Sequence, residues 1–313
     1  MADLLTILQT AANELGLPAP STVVNTTDLQ TTQLMALANR VCTDLYREYD
    51  WTDLQLEHII NIEAATVTTG SVVAGSDIIL GIPSTAGLDT SYAISGAGQP
   101  QAQRVAEVLS ANSVRMDMQS TATAVATQIT FGKDTYDIPT DFDRFIGQTW
   151  WDRTNQWRLI GPDSPQMDQL LRSGIFTTGP RRRFRQVGRR PNAYRIWPPP
   201  FAGSAPAPGA LVWEYISQNW VEKVDGTFTN KMTTDTDICL LDEQIVVMGL
   251  KWQMWRIKGF EYASLQQEFI DAVTAKFAAD GGIPDLYLNR RAGPYLLTDS
   301  NVVDGNYPGP GNP

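Results

Sequence analysis

Six arginines crowd into one short stretch of an acidic chain, Gly179-Pro180-Arg181-Arg182-Arg183-Phe184-Arg185-Gln186-Val187-Gly188-Arg189-Arg190. A guanidinium is always charged, weakly hydrated and forked, so it grips phosphate or carboxylate through paired hydrogen bonds. Three destinations fit that chemistry for Arg181, Arg182, Arg183, Arg185, Arg189 and Arg190. The first is DNA phosphate. The second is an inter-subunit seam against acidic surface of a neighbour. The third is a hairpin with alternate residues solvated, Arg182, Phe184 and Gln186 on one face and Arg183, Arg185 and Val187 on the other. Residue types alone leave the three open.

The remaining catalytic inventory is thin. His58 is the only histidine, and its alternation with Leu56, Ile60 and Ile62 puts it on the apolar face of a strand, as a structural residue and not a general base. Asp141 with Asp143, or Asp152 with Asp163, have the residue types of a carboxylate pair for glycoside hydrolysis; acidic residues at turns are far commoner. There is no HExxH, GxxxxGK[ST] or GxSxG, so zinc protease, P-loop hydrolase and serine hydrolase lack their required parts. Gly96 and Gly98 lie among short strands with no helix after them, which argues against a phosphate loop. Cys42 and Cys239 each sit in an apolar segment without a CxxC partner and read as buried small side chains, not as ligands or a disulfide. No catalytic residue, metal or cofactor is expected. Trp150, Trp151, Trp157, Trp197, Trp213 and Trp220 read as core or interface aromatics.

With 313 residues, 42% of them hydrophobic, the chain is long enough for two domains or one elaborated domain. Its net charge of -10 excludes a general nucleic-acid coat, whose footprint would be basic. No apolar run approaches the roughly 18 residues of a membrane span, and the start MADLLTILQT has no basic region ahead of its apolar positions. The expectation is a soluble protein made in a reducing cytoplasm.

Helical periods appear at both ends. Leu4, Leu5, Leu8, Ala11, Ala12 and Leu15 predict a first helix, opened by Asp3 and closed by Gly16 and Pro18. Thr27 with Gln30 has the form of a capping box, ahead of a helix carrying Leu34, Leu37, Val41, Leu45 and Tyr49. From Leu240 to Ala279, Leu241, Ile245, Met248, Trp252 and Trp255 predict one helix and Leu265, Phe269, Val273 and Phe277 another, with Gly259 as a left-handed cap between them. The four helices are expected to pack together around Leu34, Leu37, Val41, Ile245, Met248, Trp252, Trp255 and Phe269.

Between them the period changes to two. A strand is predicted over Leu56–Thr69, then a small all-β module over 70–131, then strands at Thr135–Ile138, Arg144–Trp151, Arg182–Val187, Ala193–Trp197 and Ala210–Ser217. One short helix interrupts them, with Ser164 as N-cap and Pro165 at N1. The fold class is therefore α+β: a helical bundle from residues 1–50 and 236–280, a sandwich- or barrel-like β-rich domain over 51–235, and an extended C-terminal arm over 281–313. Tyr287, Leu288, Tyr295 and Leu296 are the arm's apolar anchors. A segment so poor in apolar surface is expected to order on a partner.

Several segments, in order, carry a resemblance. Leu5–Pro20 (LTILQTAANELGLPAP), Thr135–Ile146 (TYDIPTDFDRFI), Trp151–Gly161 (WDRTNQWRLIG), Gly179–Phe184 (GPRRRF) and Leu240–Gly259 (LLDEQIVVMGLKWQMWRIKG) resemble the head-to-tail adaptor proteins of short-tailed phages, related to the packaged-DNA stabilisation protein of lambdoid phages. Val72–Met118, with Gly81-Ile82-Pro83-Ser84-Thr85-Ala86-Gly87-Leu88, is similar to a small β module that recurs as an insertion in phage structural proteins. The resemblance implies a homo-oligomeric ring, twelve subunits in the family's usual assembly, at the head–tail junction of a virion assembled in the host cytoplasm. Its partners would be the portal protein, reached by the arm through Tyr287, Leu288, Tyr295 and Leu296, a tail nozzle or tail tube protein, and passing double-stranded DNA without sequence specificity. Some members have been credited with cell-wall hydrolysis; no residues here carry that activity. Rival classes are a virion-associated cell-wall hydrolase and a tail receptor-binding or decoration protein.

Overall fold

The computed structural model describes residues 2–100, 103–173, 182–188, 193–201 and 207–280. Helices α1 (Leu4–Glu14) and α2 (Leu29–Glu48) come first, then strand β1 (Gln55–Ile62). Six strands follow: β2 (Thr66–Val72), β3 (Ile78–Leu80), β4 (Tyr92–Gly96), β5 (Gln103–Ser110), β6 (Ser113–Met116) and β7 (Ala124–Lys133). Next are β8 (Thr135–Asp137), β9 (Phe142–Phe145), β10 (Trp151–Asp152), β11 (Trp157–Arg158) and helix α3 (Pro165–Arg172). Strands β12 (Arg183–Val187), β13 (Ala193–Trp197), β14 (Ala207–Ser217), β15 (Val221–Glu222), β16 (Phe228–Thr229) and β17 (Ile238–Cys239) precede α4 (Glu243–Lys258) and α5 (Ala263–Asp280). The fold is α+β, with helices towards both ends and a β-rich middle. No helix among the described residues is long and apolar enough to cross a membrane. The expected arm, 281–313, lies outside the described residues.

Chain contacts divide the described residues into two units, 2–56 with 141–146 and 214–280, and 57–140 with 147–213. In the first, caps set the helix starts. The Asp3 carboxylate accepts from the Thr6 N–H at 2.9 Å. The capping box expected at Thr27 is corrected: Asp28 is the N-cap and accepts from the N–H groups of Gln30 and Thr31. A carboxylate satisfies two orphan donors together and carries the charge the helix N-terminus favours. Gly259 closes α4 at φ 77°, a conformation that costs glycine nothing.

The predicted stripe on α4 is also corrected. The helix buries Ile245, Val246, Val247, Gly249, Leu250, Gln253 and Met254, while Met248 and Trp252 are half-buried and Trp255 is exposed. Gly249 explains the rotation. A Cβ there would lie 2.5 Å from Val41 Cγ1 and 3.1 Å from Phe269 Cε2, so α4 meets α2 and α5 at its smallest residue and the indoles fall to the edge. Leu34, Leu37, Val41 and Ile245 are in the core, with Phe269 packed against it. On α5 only Val273 is buried.

The helical unit also begins earlier than the expected residue 236. Trp220, Val221, Met232 and Cys239 belong to the same buried cluster as the helices, and β16, β15 and β17 form a small antiparallel sheet among them. The last residues of β14, Tyr215–Ser217, pair with β9. Two aspartates fasten the chain's start to this sheet. Asp235 accepts from the N–H groups of Val23 and Val24 at 3.1 and 2.8 Å, and the Leu4 N–H donates to the Asp237 carbonyl at 2.9 Å. The Asp237 carboxylate accepts from Thr233 and Thr234. Cys42 and Cys239 are free and buried, with Sγ atoms 3.8 Å apart.

In the second unit β2-β3-β6-β5-β4-β7 close an antiparallel barrel, slightly larger than the module expected over 70–131. Its interior is filled by Val72, Ile79, Ile82, Ile94, Val105, Val114, Ile129 and Phe131 among others. A Cβ on Gly70 would sit 2.7 Å from Ile129 Cδ1, leaving no room for a ligand there. The single strand predicted over Leu56–Thr69 breaks at Glu63–Ala65, because its halves join different sheets: β2 enters the barrel, and β1 lies beside β14 in the order β1-β14-β10-β11. Likewise the strand predicted over Arg144–Trp151 is two short strands, β9 and β10. Strands β12, β13 and β8 make a further sheet. Arg104 of the barrel is buried against Asp134, and also donates to Thr135 Oγ1 and the Thr90 carbonyl.

Two measurements probe these contacts. Gly249→Ala gains about 1 kcal/mol of helix propensity but overpacks against the stiff Val41 at a cost of about 1–3 kcal/mol, so a lowered urea midpoint with an unchanged slope is expected. For Asp237, burial raises the carboxyl pKa, but hydrogen bonds from Thr233 and Thr234 outweigh it and the net shift is downward. A folded pKa below the unfolded one contributes stability that is whole above the unfolded value and lost as pH falls through the folded value. Asp237→Asn should therefore be less stable than the parent at neutral pH, and the two stabilities should converge as the pH falls below the unfolded carboxyl value and through the lowered folded one.

Candidate interaction surfaces

The arginine stretch does form a hairpin strand, with Arg183 opposite Trp197 and Arg185 opposite Arg195. Three of its side chains have partners among the described residues. Arg182 Nη1 lies 3.3 Å from Asp152 Oδ2. Arg183 forks across Asp163, Nε to Oδ2 at 2.8 Å and Nη2 to Oδ1 at 3.1 Å. Arg185 Nη1 donates to Asp168 Oδ2 at 2.6 Å, and Arg195 lies 3.9 Å from the same oxygen. The three carboxylates are deeply buried, with side chains 3%, 9% and 11% exposed. Arg182, Arg183 and Arg185, expected at DNA phosphate, at an inter-subunit seam or on a solvated hairpin, thus have carboxylate partners within the chain. The cause is electrostatic, because a buried carboxylate must be paired. Asp163 holds the Arg183 guanidinium more firmly protonated than usual, through its hydrogen bonds first.

Local backbone structure brings these partners together. Ile160 and Arg183 form a parallel bridge, and the Asp163 N–H donates to the Phe184 carbonyl at 2.8 Å, which lays the segment before α3 along β12. Ser164 caps α3 through the Met167 N–H, with Pro165 in its first turn, so Asp168 comes round to face Arg185. Asp168 and Arg195 were not singled out by the sequence. The available signal was the run of aspartates at 152, 163 and 168 ahead of the arginine stretch. Arg181, Arg189, Arg190, Tyr287, Leu288, Tyr295 and Leu296 lie outside the described residues.

The carboxylates considered for hydrolysis are similarly engaged. Asp141 accepts from the Ser217 hydroxyl at 2.7 Å and the Tyr215 hydroxyl at 3.1 Å. Asp143 pairs with Arg144 at 2.7 Å, and Arg144 also reaches Asp50 and the carbonyls of Tyr46 and Tyr49. Asp152 accepts from Asn155 as well as facing Arg182. His58 stands edge-on to Trp213, ring centroids 5.2 Å apart. Among the described residues no group of three or more His, Cys, Asp or Glu could hold a metal ion.

What the helical unit leaves open is apolar. Trp255, Ile257, Phe260, Ile270 and Phe277 are exposed, Phe260 to 60%. Trp255 meets Phe260 edge-on, and Arg256 lies over the Trp252 ring at 5.3 Å. Lys251, set among these positions, is taken by Glu14 at 2.8 Å. Between α2 and the α4–α5 pair runs a groove of about 510 Å³, lined by Val41, Leu45, Trp252, Gln253, Phe269 and Ile270 with Asp44, Arg47, Glu48 and Gln266.

Replacing Arg182, Arg183 and Arg185 together by Ala should lower stability and leave DNA retention in a mobility-shift assay unchanged. Loss of DNA retention at unchanged stability would mean that phosphate, not carboxylate, is their partner. Asp168→Asn should cost about 3 kcal/mol in urea unfolding, since it leaves the Arg185 guanidinium without its carboxylate partner.

No family model matches the chain, and no curated protein matches it.

Proposed function

We propose that this chain is a structural virion protein, a head-to-tail adaptor that joins copies of itself in a ring, binds the portal, extends the DNA channel and gives the tail or nozzle its docking platform. The observation that carries this reading is the ordered series of segments resembling adaptors, running from Leu5–Pro20 to Leu240–Gly259. Two features of the molecule support it. The groups with chemical potential are engaged with each other: arginines with Asp152, Asp163 and Asp168, and Asp141 with Tyr215 and Ser217. The helices meanwhile leave large apolar side chains uncovered at Trp255, Ile257 and Phe260, more than an isolated chain needs.

In this reading subunits meet head to tail, since a heterologous contact repeated by a fixed rotation closes without free edges. The net charge of -10 keeps double-stranded DNA from adhering as it passes. The segment from 281 onward, with Tyr287, Leu288, Tyr295 and Leu296, orders on the portal and offsets the entropy lost in doing so by apolar burial. The ring sits at the head–tail junction.

Electron microscopy of the purified chain mixed with its portal tests the whole proposal. A ring at the tail-side end of the portal is expected, and a truncation ending at Asp280 should lose most of its portal affinity. Bare portals beside unassembled chains would sink the adaptor reading, and full affinity of the truncation would sink the arm's part in it.

A further inference from the structure

The chain's two cysteines, Cys42 on α2 and Cys239 on β17, come from opposite sides of the β-rich middle, 197 residues apart, and meet with their Sγ atoms at 3.8 Å. Both are fully buried and neither is bonded. Neighbouring contacts hold them in place. One turn before Cys42, the Asn39 amide accepts from the Met232 N–H at 2.8 Å and donates to the Met232 carbonyl at 3.3 Å, which fastens α2 to the chain leading into β17. Cys239 stands opposite Val221 in the sheet, and its N–H donates to the Ala2 carbonyl at 3.1 Å. The two thiols also differ in acidity. With Cys42 donating, its S–H and then the Leu241 N–H draw the Cys239 thiol below its usual range, while burial pushes the Cys42 thiol well up. Cys239 is therefore the nucleophile of the pair.

We propose that Cys42 and Cys239 are a disulfide site, reduced while the chain folds and closed afterwards by a small two-electron oxidant such as hydrogen peroxide. The Cys239 thiolate attacks one peroxide oxygen and breaks the O–O bond, leaving a sulfenic acid; the hydroxide expelled takes up the thiol's proton as water. The Cys42 sulfur then attacks the Cys239 sulfur and expels the second hydroxide, which leaves as water with the Cys42 proton. Two thiols and one peroxide thus give one disulfide and two waters. The sulfurs need to approach from 3.8 Å to about 2.0 Å, and no third cysteine competes. Strands β15, β16 and β17 have two residues each, so few hydrogen bonds must open locally to admit a peroxide to Cys239. The bond would tie α2 to the small sheet ahead of α4, across a loop that contains the whole β-rich unit. A loop of that length takes much freedom from the unfolded chain. In a reducing compartment the pair stays as thiols; outside one, the closed form persists.

This site belongs to the single chain and does not rest on the adaptor reading. The test uses the full-length protein without portal, so its failure is separate from failure of ring formation. The reduced protein is treated with hydrogen peroxide under native conditions, quenched with catalase, denatured, alkylated with iodoacetamide and mapped by mass spectrometry. A peptide carrying Cys42 joined to one carrying Cys239 is expected, from protein that runs as a single chain on a non-reducing gel. The urea midpoint of the oxidised protein should rise by about 1 M and return to its starting value with dithiothreitol. Cys42→Ala and Cys239→Ala, which keep every methionine, should show neither the linked peptide nor the rise. Both thiols alkylated after peroxide, a sulfinic acid in place of the link, or a link between two chains would each overturn the proposal. So would an equal rise in either alanine variant, since the gain would then come from another oxidised residue.

Discussion

Helix α4 lies against α2 because position 249 has no side chain. With Val41 Cγ1 only 2.5 Å from where a Cβ would stand, the approach is available to glycine alone without displacement. Several features of the helical unit follow from it. Ile245, Val246, Leu250 and Met254 are carried inward, Trp252 is left at the lip of a groove, and Trp255 is turned outward. The same approach brings residues far apart in sequence into one core, since α2 precedes the whole β-rich middle and α4 follows it. Asp235 and Asp237 reinforce that closure by hydrogen bonding, holding Val23, Val24 and Leu4.

The β-rich unit is governed by a different constraint, the desolvation of charge. Asp134, Asp152, Asp163 and Asp168 all have little contact with water, and each has an arginine against it. Such pairs contribute little net stability compared with apolar packing, but breaking one is costly because the survivor stays buried. Arg182, Arg183 and Arg185 are the complement of three of these carboxylates.

How much of this was legible depended on the range of the interaction. Asp3, Ser164 with Pro165, and Gly259 were readable because a cap is decided within four residues of itself. Asp28 was missed by one position, where two neighbouring residues could both cap and only the backbone geometry chooses. The α4 stripe was misassigned because large aromatics dominate a periodicity reading, whereas Gly249, the residue that determines contact, has no hydrophobic signal at all. Strands β15 and β16 were missed because two-residue strands have no period. The arginines were recognised as unusual, but their partners lie up to 30 residues away in sequence, as Arg182 and Asp152 do, and nothing local identifies them. The groove follows from helix placement and was not readable in advance.

The ends of the barrel have a further consequence. Thr66, where the chain enters, is paired directly with Phe131, just before it leaves, so the two crossing points are neighbouring residues on adjacent strands. Chain on either side could be rejoined there by a very short link, and the barrel keeps its own filled interior when considered alone. It has the geometry of a self-contained unit whose two ends meet. Arg104 on Asp134 and Arg172 on Asp117 are among the ties between the barrel and its surroundings, and without Arg104 a buried carboxylate would be left.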